Sequence, residues 1–354
     1  MFQIFGKARL FNYIANNAAS LHYEETAYRG NRSNSPQPDS RSGQGKLFLN
    51  GWTQGGRPLE KSSRSGIFPP KALETWSPEA MVEEDNFRQQ FESEAAGGGE
   101  PYNPAGWINA GSIRYATLPR VSWALLWMQH GGRFVATWLF GLFAIAMLMT
   151  WFNIGEKIGA HAFWTEAVFP FLAYLYLPAF IFWGVGRFVE KHAPHIIYRR
   201  PKGPKWELNR RTGMVTLYYD PDTDERAGQI NAQAPFDEWD GYLVTLPDRQ
   251  GNLWYRLNLV HKTEEWALPL NQLMPATTNR EDVLAFWLLI CRYMDVTQPL
   301  PDIPLFESFR HEDPRTLRHD EKSGRNPRYW RDMSKQEYER FKEDNRHKLY
   351  NNKW

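Results

Sequence analysis

The nine histidines are the first residues to test for chemistry, because imidazole can ligate a metal or move a proton near neutral pH. His311, Asp313, His319 and Asp320 come nearest to a cluster, and such a set could hold a divalent ion or activate a water. Their segment is dense in charge and reads as loop, where histidines are usually solvated. His192 and His195 flank Ala193-Pro194, and the proline blocks the helical turn that would align them as a metal pair. The chain has no His-Glu-x-x-His, no Gly-x-Ser-x-Gly elbow and no Walker lysine. Gly97 to Gly99 lack the following Lys-Ser/Thr of a phosphate loop. The single cysteine, Cys291, sits in an apolar run and reads as a small buried hydrophobe. It excludes an intrachain disulfide and fits a reducing compartment. No catalytic, metal-binding or cofactor-binding residue is assigned.

A different kind of site is legible in the tail. Arg325, Arg328 and Arg331 surround Tyr329 and Trp330, and Trp239 stands in the acidic aromatic segment Pro235 to Asp240. Arginine and large aromatics together make partner contacts, and an arginine group also suits lipid headgroups. The bland alternative is a solvated tail strapped to the preceding domain by its aromatics. Net charge is +2, from 42 basic and 40 acidic residues, so nothing favours a nucleic-acid partner.

Two uncharged stretches set the architecture around these residues. Phe134 to Gly155 and Ala167 to Gly186 contain no Asp, Glu, Lys or Arg. Each reaches the roughly 20 residues that cross a hydrocarbon core of about 30 Å. Pro170 and Pro178 are tolerated in a membrane helix, with a kink expected near Pro178. No carboxylate or lysine lies inside either run, so an ion pathway lacks its usual marker. Arg114, Arg120 and Arg133 precede the hairpin, and Arg187, Lys191, Arg199, Arg200, Lys202 and Lys205 follow it. The link holds only Lys157, so both termini are expected in the cytoplasm. Val121 to His130 either lies along the interface or extends the first span. No signal peptide is read at the N-terminus.

The expected plan follows. Residues 1–112 form a largely disordered cytoplasmic region, with apolar islands such as Leu47 to Leu49 and Ile67-Phe68 that dock on a partner or on the chain itself. Short helices are expected at Met1 to Leu21 and Met81 to Glu94. Residues 113–133 are juxtamembrane, 134–155 and 167–186 span, and 156–166 link the spans. Residues 196–298 form a cytoplasmic β domain. Its hairpin turns at Arg210 to Gly213 and Asp248 to Asn252 join strands at Trp206 to Asn209, Met214 to Tyr219, Tyr242 to Leu246 and Leu253 to Val260. A helix from Val283 to Met294 should cover the sheet, started by a capping box of Thr278 and Glu281. Six or seven strands and a closing helix are the element order of a pleckstrin-homology-like (PH-like) barrel. Residues 299–354 form a charged tail with a terminal helix capped by Ser334 and Glu337. The fold class is therefore a membrane helical hairpin plus an α+β domain, an antiparallel PH-like barrel or meander closed by a C-terminal helix.

The segments WELNRRTGMVTLYYD, PFDEWDG and DPRTLRHDEKSGRNPRYWRDMS, with the helix ending in CRYMD, are similar to those of a family of proteobacterial two-span inner-membrane proteins. Members of that family are often encoded near type VI secretion effector cassettes. The resemblance covers about Trp107 to Met333 and is most specific in the Asn-Arg-x-Thr-Gly turn and the Arg-Asn-Pro-Arg-Tyr-Trp-Arg-Asp run. It implies a setting and no activity. The expectation is a non-enzymatic inner-membrane adaptor whose partners are membrane lipid and a protein, a secreted effector or secretion component. An immunity protein that neutralises a toxin at the membrane, and a membrane-associated hydrolase, are the alternatives.

Overall fold

A computed structural model describes residues 22–30, 58–62, 68–75, 77–82, 108–116, 120–155, 157, 159–193, 196, 203–220 and 224–351. The expected helix at residues 1–21, most of the one at 81–94 and the apolar island at 47–49 lie outside them. The chain divides into two compact units, one of residues 1–115, 205–219 and 229–354, the other of residues 116–204 and 220–228.

The first unit is mixed α+β and holds two antiparallel four-stranded sheets. Its strands are β1 (Pro58–Leu59), β2 (Ser112–Tyr115), β3 (Trp206–Asn209), β4 (Met214–Tyr218), β5 (Ile230–Pro235), β6 (Trp239–Pro247), β7 (Leu253–His261) and β8 (Ala267–Pro269). One sheet has the order β2-β3-β4-β5 and the other β1-β6-β7-β8. Four of the expected strands appear near their expected places. β6 begins at Trp239 rather than Tyr242, because Phe236–Glu238 forms a single 3-10 turn from which the strand starts directly. β2 was expected to be juxtamembrane; instead it pairs with β3 across the whole intervening excursion, Ser112 opposite Asn209 and Tyr115 opposite Trp206.

That pairing is fastened at its open end. The Lys205 amide donates to the Tyr115 carbonyl at 2.7 Å, and the Tyr115 and Trp206 rings stack. Arg114 Nε donates to buried Glu207 at 2.9 Å, and Tyr218 Oη and Asn209 Nδ2 donate to the same carboxylate. A carboxylate taken from water needs these donors to offset its desolvation.

Asn209, Arg210 and Gly213 of the Asn-Arg-x-Thr-Gly turn each have a physical explanation. Asn209 Oδ1 accepts from the Thr212 amide and closes the turn. Gly213 has φ +72, and a Cβ there would lie 2.6 Å from the Thr26 carbonyl oxygen and 2.7 Å from the Tyr28 amide nitrogen. Only glycine combines that backbone with that approach. Arg210 is fully buried, and its guanidinium donates to the carbonyls of Arg292, Tyr293, Asp295 and Gln298. Asp313 Oδ2 lies 3.5 Å from Nη2, the nitrogen that also donates to Gln298. Burial lowers the guanidinium to about 10, so it remains charged at neutral pH.

Helix α4 (Arg280–Met294) buries Val283, Phe286, Trp287, Ile290, Met294 and Cys291 against the sheets. It does not start with the expected capping box. Asn279 occupies the cap position, and Thr277 bonds instead to Asp282. The region before the excursion contributes to the core, so it is not uniformly unstructured. Phe68, Ala72 and Leu73, the latter two in α1 (Pro70–Thr75), are buried. The Phe68 backbone exchanges bonds with the Asn345 side chain, and the Leu73 carbonyl accepts from Tyr338 Oη. The island at residues 67–68 therefore docks on its own chain at Phe68.

The second unit contains two long helices. Residues 120–155 run as unbroken helical turns (α2), so Val121 to His130 extends the helix. Ala160–His192 (α3) is 33 residues long and is the one described helix both long and apolar enough to cross a membrane. At 1.5 Å per residue it spans about 50 Å, more than a hydrocarbon core requires. A shorter apolar helix, Phe140–Asn153, lies within α2. In α3, π turns at Trp164–Val168 and Leu172–Tyr176 come just before Pro170 and Pro178, the residues that cannot donate to the helical ladder.

α2 and α3 touch most closely through glycine. A Cβ on Gly186 would lie 2.8 Å from the Gln129 amide nitrogen, and one on Gly132 would lie 2.8 Å from that of Trp183. Gln129 Nε2 donates to Glu190 at 2.5 Å across the same crossing. Farther along, ring pairs fill the seam, Phe140 with Tyr176 and Phe143 with Phe171. The outward faces stay apolar, with Trp123, Trp127, Trp138, Phe152, Phe169 and Phe188 all exposed.

Candidate partner-binding surface

The tail is not a loop. Pro304–Glu312 forms a 3-10 helix, Asp313 caps α5 (Pro314–Ser323) by accepting from the Thr316 amide and hydroxyl, and left-handed Gly324 ends it. A Ser334–Glu337 capping box then starts α6 (Lys335–Asn351), as the sequence indicates.

Two carboxylates, buried Glu307 and half-buried Asp302, organise this segment. Glu307 accepts from the Trp330 amide at 2.6 Å, the Arg331 amide at 3.0 Å and Arg331 Nη1 at 3.2 Å. Asp302 takes both arms of Arg325, at 2.9 and 2.8 Å, and the Trp330 indole N–H at 2.9 Å. Burial pushes the Asp302 carboxyl up, but the Arg325 bonds, Arg310 and Trp330 outweigh it and hold it below the usual range. Arg310 makes a two-pronged pair with Asp320 at 2.7 Å.

The six residues singled out for partner contact therefore separate. Arg325, Trp330 and Arg331 are used inside the fold as struts. Trp239 lies in the core, its ring against His261 and Trp266. Arg328 and Tyr329 remain exposed, Arg328 in an ion pair with Asp332. Tyr329 borders a surface cleft of about 460 Å³, lined also by Asn326, Asp332, Met333, Glu337, Arg340, Phe341 and Asp344. Glu337, Arg340, Phe341 and Asp344 form one stripe of α6 at helical spacing. The sequence could have shown that stripe, but the facing turn is placed by Glu307 and Asp302 from far earlier in the chain.

Comparison with known proteins gives no relative. No protein-family model, curated protein or solved structure matches this chain.

The groups that could do chemistry are placed for structure. Among the described residues, no three or more His, Cys, Asp or Glu side chains are grouped to hold a metal ion. Asp313 and Asp320 serve the cap and the Arg310 pair, while His319 is exposed. Cys291 is buried, and burial pushes its thiol up to about 12, away from the thiolate a nucleophile requires. The Lys61 amine falls to about 8, mainly through burial, but it donates to the Phe236 and Asp237 carbonyls. His261 Nε2 pairs with Glu238 at 3.0 Å while its Nδ1 accepts from the Glu264 amide, which fixes the ring as a link between β7 and the following turn.

Proposed function

We propose that the chain is a non-enzymatic, membrane-anchored interaction protein with two crossings and its α+β unit in the cytoplasm. The observation that carries this reading is the pairing of β2 with β3 around a helix of membrane-spanning length. Both ends of the excursion belong to one sheet, hence to one side of any bilayer. A chain that leaves and returns to one side crosses an even number of times. If α3 crosses, residues 116–159 must hold another crossing, and the apolar part of α2 is there to supply it. The exposed tryptophans of α2 suit lipid contact and headgroup anchoring. Basic residues on the outer flanks of the helices favour the cytoplasm for the sheets and tail. Two sheets followed by α4 support a PH-like reading of that unit, a scaffold that presents surfaces rather than a catalytic centre.

The resemblance to proteins encoded beside type VI secretion cassettes supports an adaptor role in effector handling. Single-cysteine topology mapping tests the membrane reading, with buried Cys291 giving a low background. Gly159→Cys in intact cells should react with an impermeant maleimide, and Ser323→Cys only after permeabilisation. Equal labelling of both in intact cells, or recovery of the protein in the supernatant after detergent-free ultracentrifugation, would refute it.

A further inference from the structure

We infer that the cleft between the 326–333 turn and α6 binds a basic side chain, arginine or lysine, presented by a protein partner. This rests on reading the chain as an interaction protein and names the chemistry of its partner. Phe341 and Tyr329, 44% exposed and already carrying the chain's own Arg325 guanidinium 5.4 Å from its ring centroid, supply aromatic walls, and Met333 adds an adaptable apolar surface. An aliphatic stem packs on such walls, and a cation is attracted to their faces. Asp332, Glu337 and Asp344 line the same cleft against one guanidinium, that of Arg340. Their charges are not equally engaged. Asp332 is paired with Arg328, and Glu337 is bonded to Ser334, which holds its carboxyl below the usual range. Arg340 and Asp344 form no ion pair among the described residues, although the neighbouring Glu339–Lys342 and Glu343–Arg346 pairs on α6 are formed. The cleft thus offers a carboxylate, that of Asp344, outside the ion pairs of its own helix and beside aromatic faces. Such a site gives selectivity for charge and register more than raw affinity.

Fluorescence polarisation on the detergent-solubilised full chain tests this, with fluorescein-labelled Gly-Leu-Arg-Leu-Arg-Gly and Gly-Leu-Glu-Leu-Glu-Gly as probes. The arginine peptide should bind more tightly by about tenfold or more, and added salt should weaken it. Asp344→Lys should cost about tenfold, and Tyr329→Ala should also weaken binding. Glu343→Lys, which changes the same helix outside the cleft lining, should leave it unchanged. All three positions are exposed, and an unaltered far-UV spectrum checks that each variant folds. Equal binding of the two peptides overturns the proposal, as does indifference to Asp344→Lys. An equal loss in Glu343→Lys also overturns it, since that loss would mean diffuse attraction to the helix. Failure here leaves the topology test standing, and failure there leaves this one readable.

Discussion

Excising residues 116–204 and joining Tyr115 to Lys205 through a short turn carrying Asn-Gly should convert the protein into a soluble, folded domain. β2 and β3 are already antiparallel neighbours in register from Ser112–Asn209 to Tyr115–Trp206, so a hairpin turn restores their natural connection. Loop-closure entropy sets the scale. Shortening the connection from roughly 90 residues to roughly 4 removes about 3 kcal/mol of closure cost, from (3/2)RT times the logarithm of the ratio. That figure is an upper bound, because the contact of Gly132 with Trp183 and Gly186 with Gln129 already holds the two helices together. The excised chain should stay in the supernatant at high centrifugal force without detergent. It should unfold in urea in one cooperative step, followed by tryptophan fluorescence, and its core amides should be protected from exchange. Sedimentation of the product, or gradual unfolding with no protected amides, would refute the view that the excursion is a separable insert in a sheet complete without it.

Three further outcomes follow from particular contacts. Gly186→Leu forces a side chain into the Gln129 backbone, so oxidative crosslinking of a Gln129→Cys, Glu190→Cys pair should succeed in the parent and fail in the variant. Arg210→Met deletes a buried cation that ties four carbonyls and leaves Asp313 without it, at a cost of about 3–5 kcal/mol read from the thermal midpoint in detergent. Burial raises the Asp313 carboxyl to about 6, so the folded state binds that proton more tightly than the unfolded chain does. Its stability contribution is complete below about pH 4 and is lost as pH rises through 6, by up to about 3 kcal/mol. Asp313→Asn should therefore gain on the parent between pH 4 and 7 in urea titrations; a gain in the opposite direction would mean that pairing with Arg210 dominates burial.

Features governed by local composition were readable in the sequence, and features governed by distant partners were not. The charge-free stretches, the Arg210–Gly213 turn and the Ser334–Glu337 cap each depend on neighbours within one segment. β2 could not be read, since Ser-Ile-Arg-Tyr becomes a strand only by pairing with residues far beyond the helices. Phe68, Ala72 and Leu73 were obscured by the polar, proline-rich chain around them, although they fill core sites. In the tail, a charge-dense run has the composition of a solvated loop, whereas Asp302, Glu307 and Asp320 neutralise Arg325, Arg331 and Arg310 inside the fold. Trp239 and Trp330 have the residue type of partner contacts, but burial takes both out of reach. Arg328 and Tyr329 stay exposed beside that network.

The discontinuous sheet also imposes an order on biosynthesis. When β2 leaves the ribosome its neighbour β3 has not been made, and both helices of the excursion are synthesised in between. Pro58–Leu59 waits still longer, for Gly241–Tyr242. Until synthesis passes those residues, the early segments have no sheet to join and depend on chaperones or on the nascent chain's own solubility. Truncated products ending before Trp206 would therefore display unsatisfied strand edges, an obvious signal for proteolytic clearance.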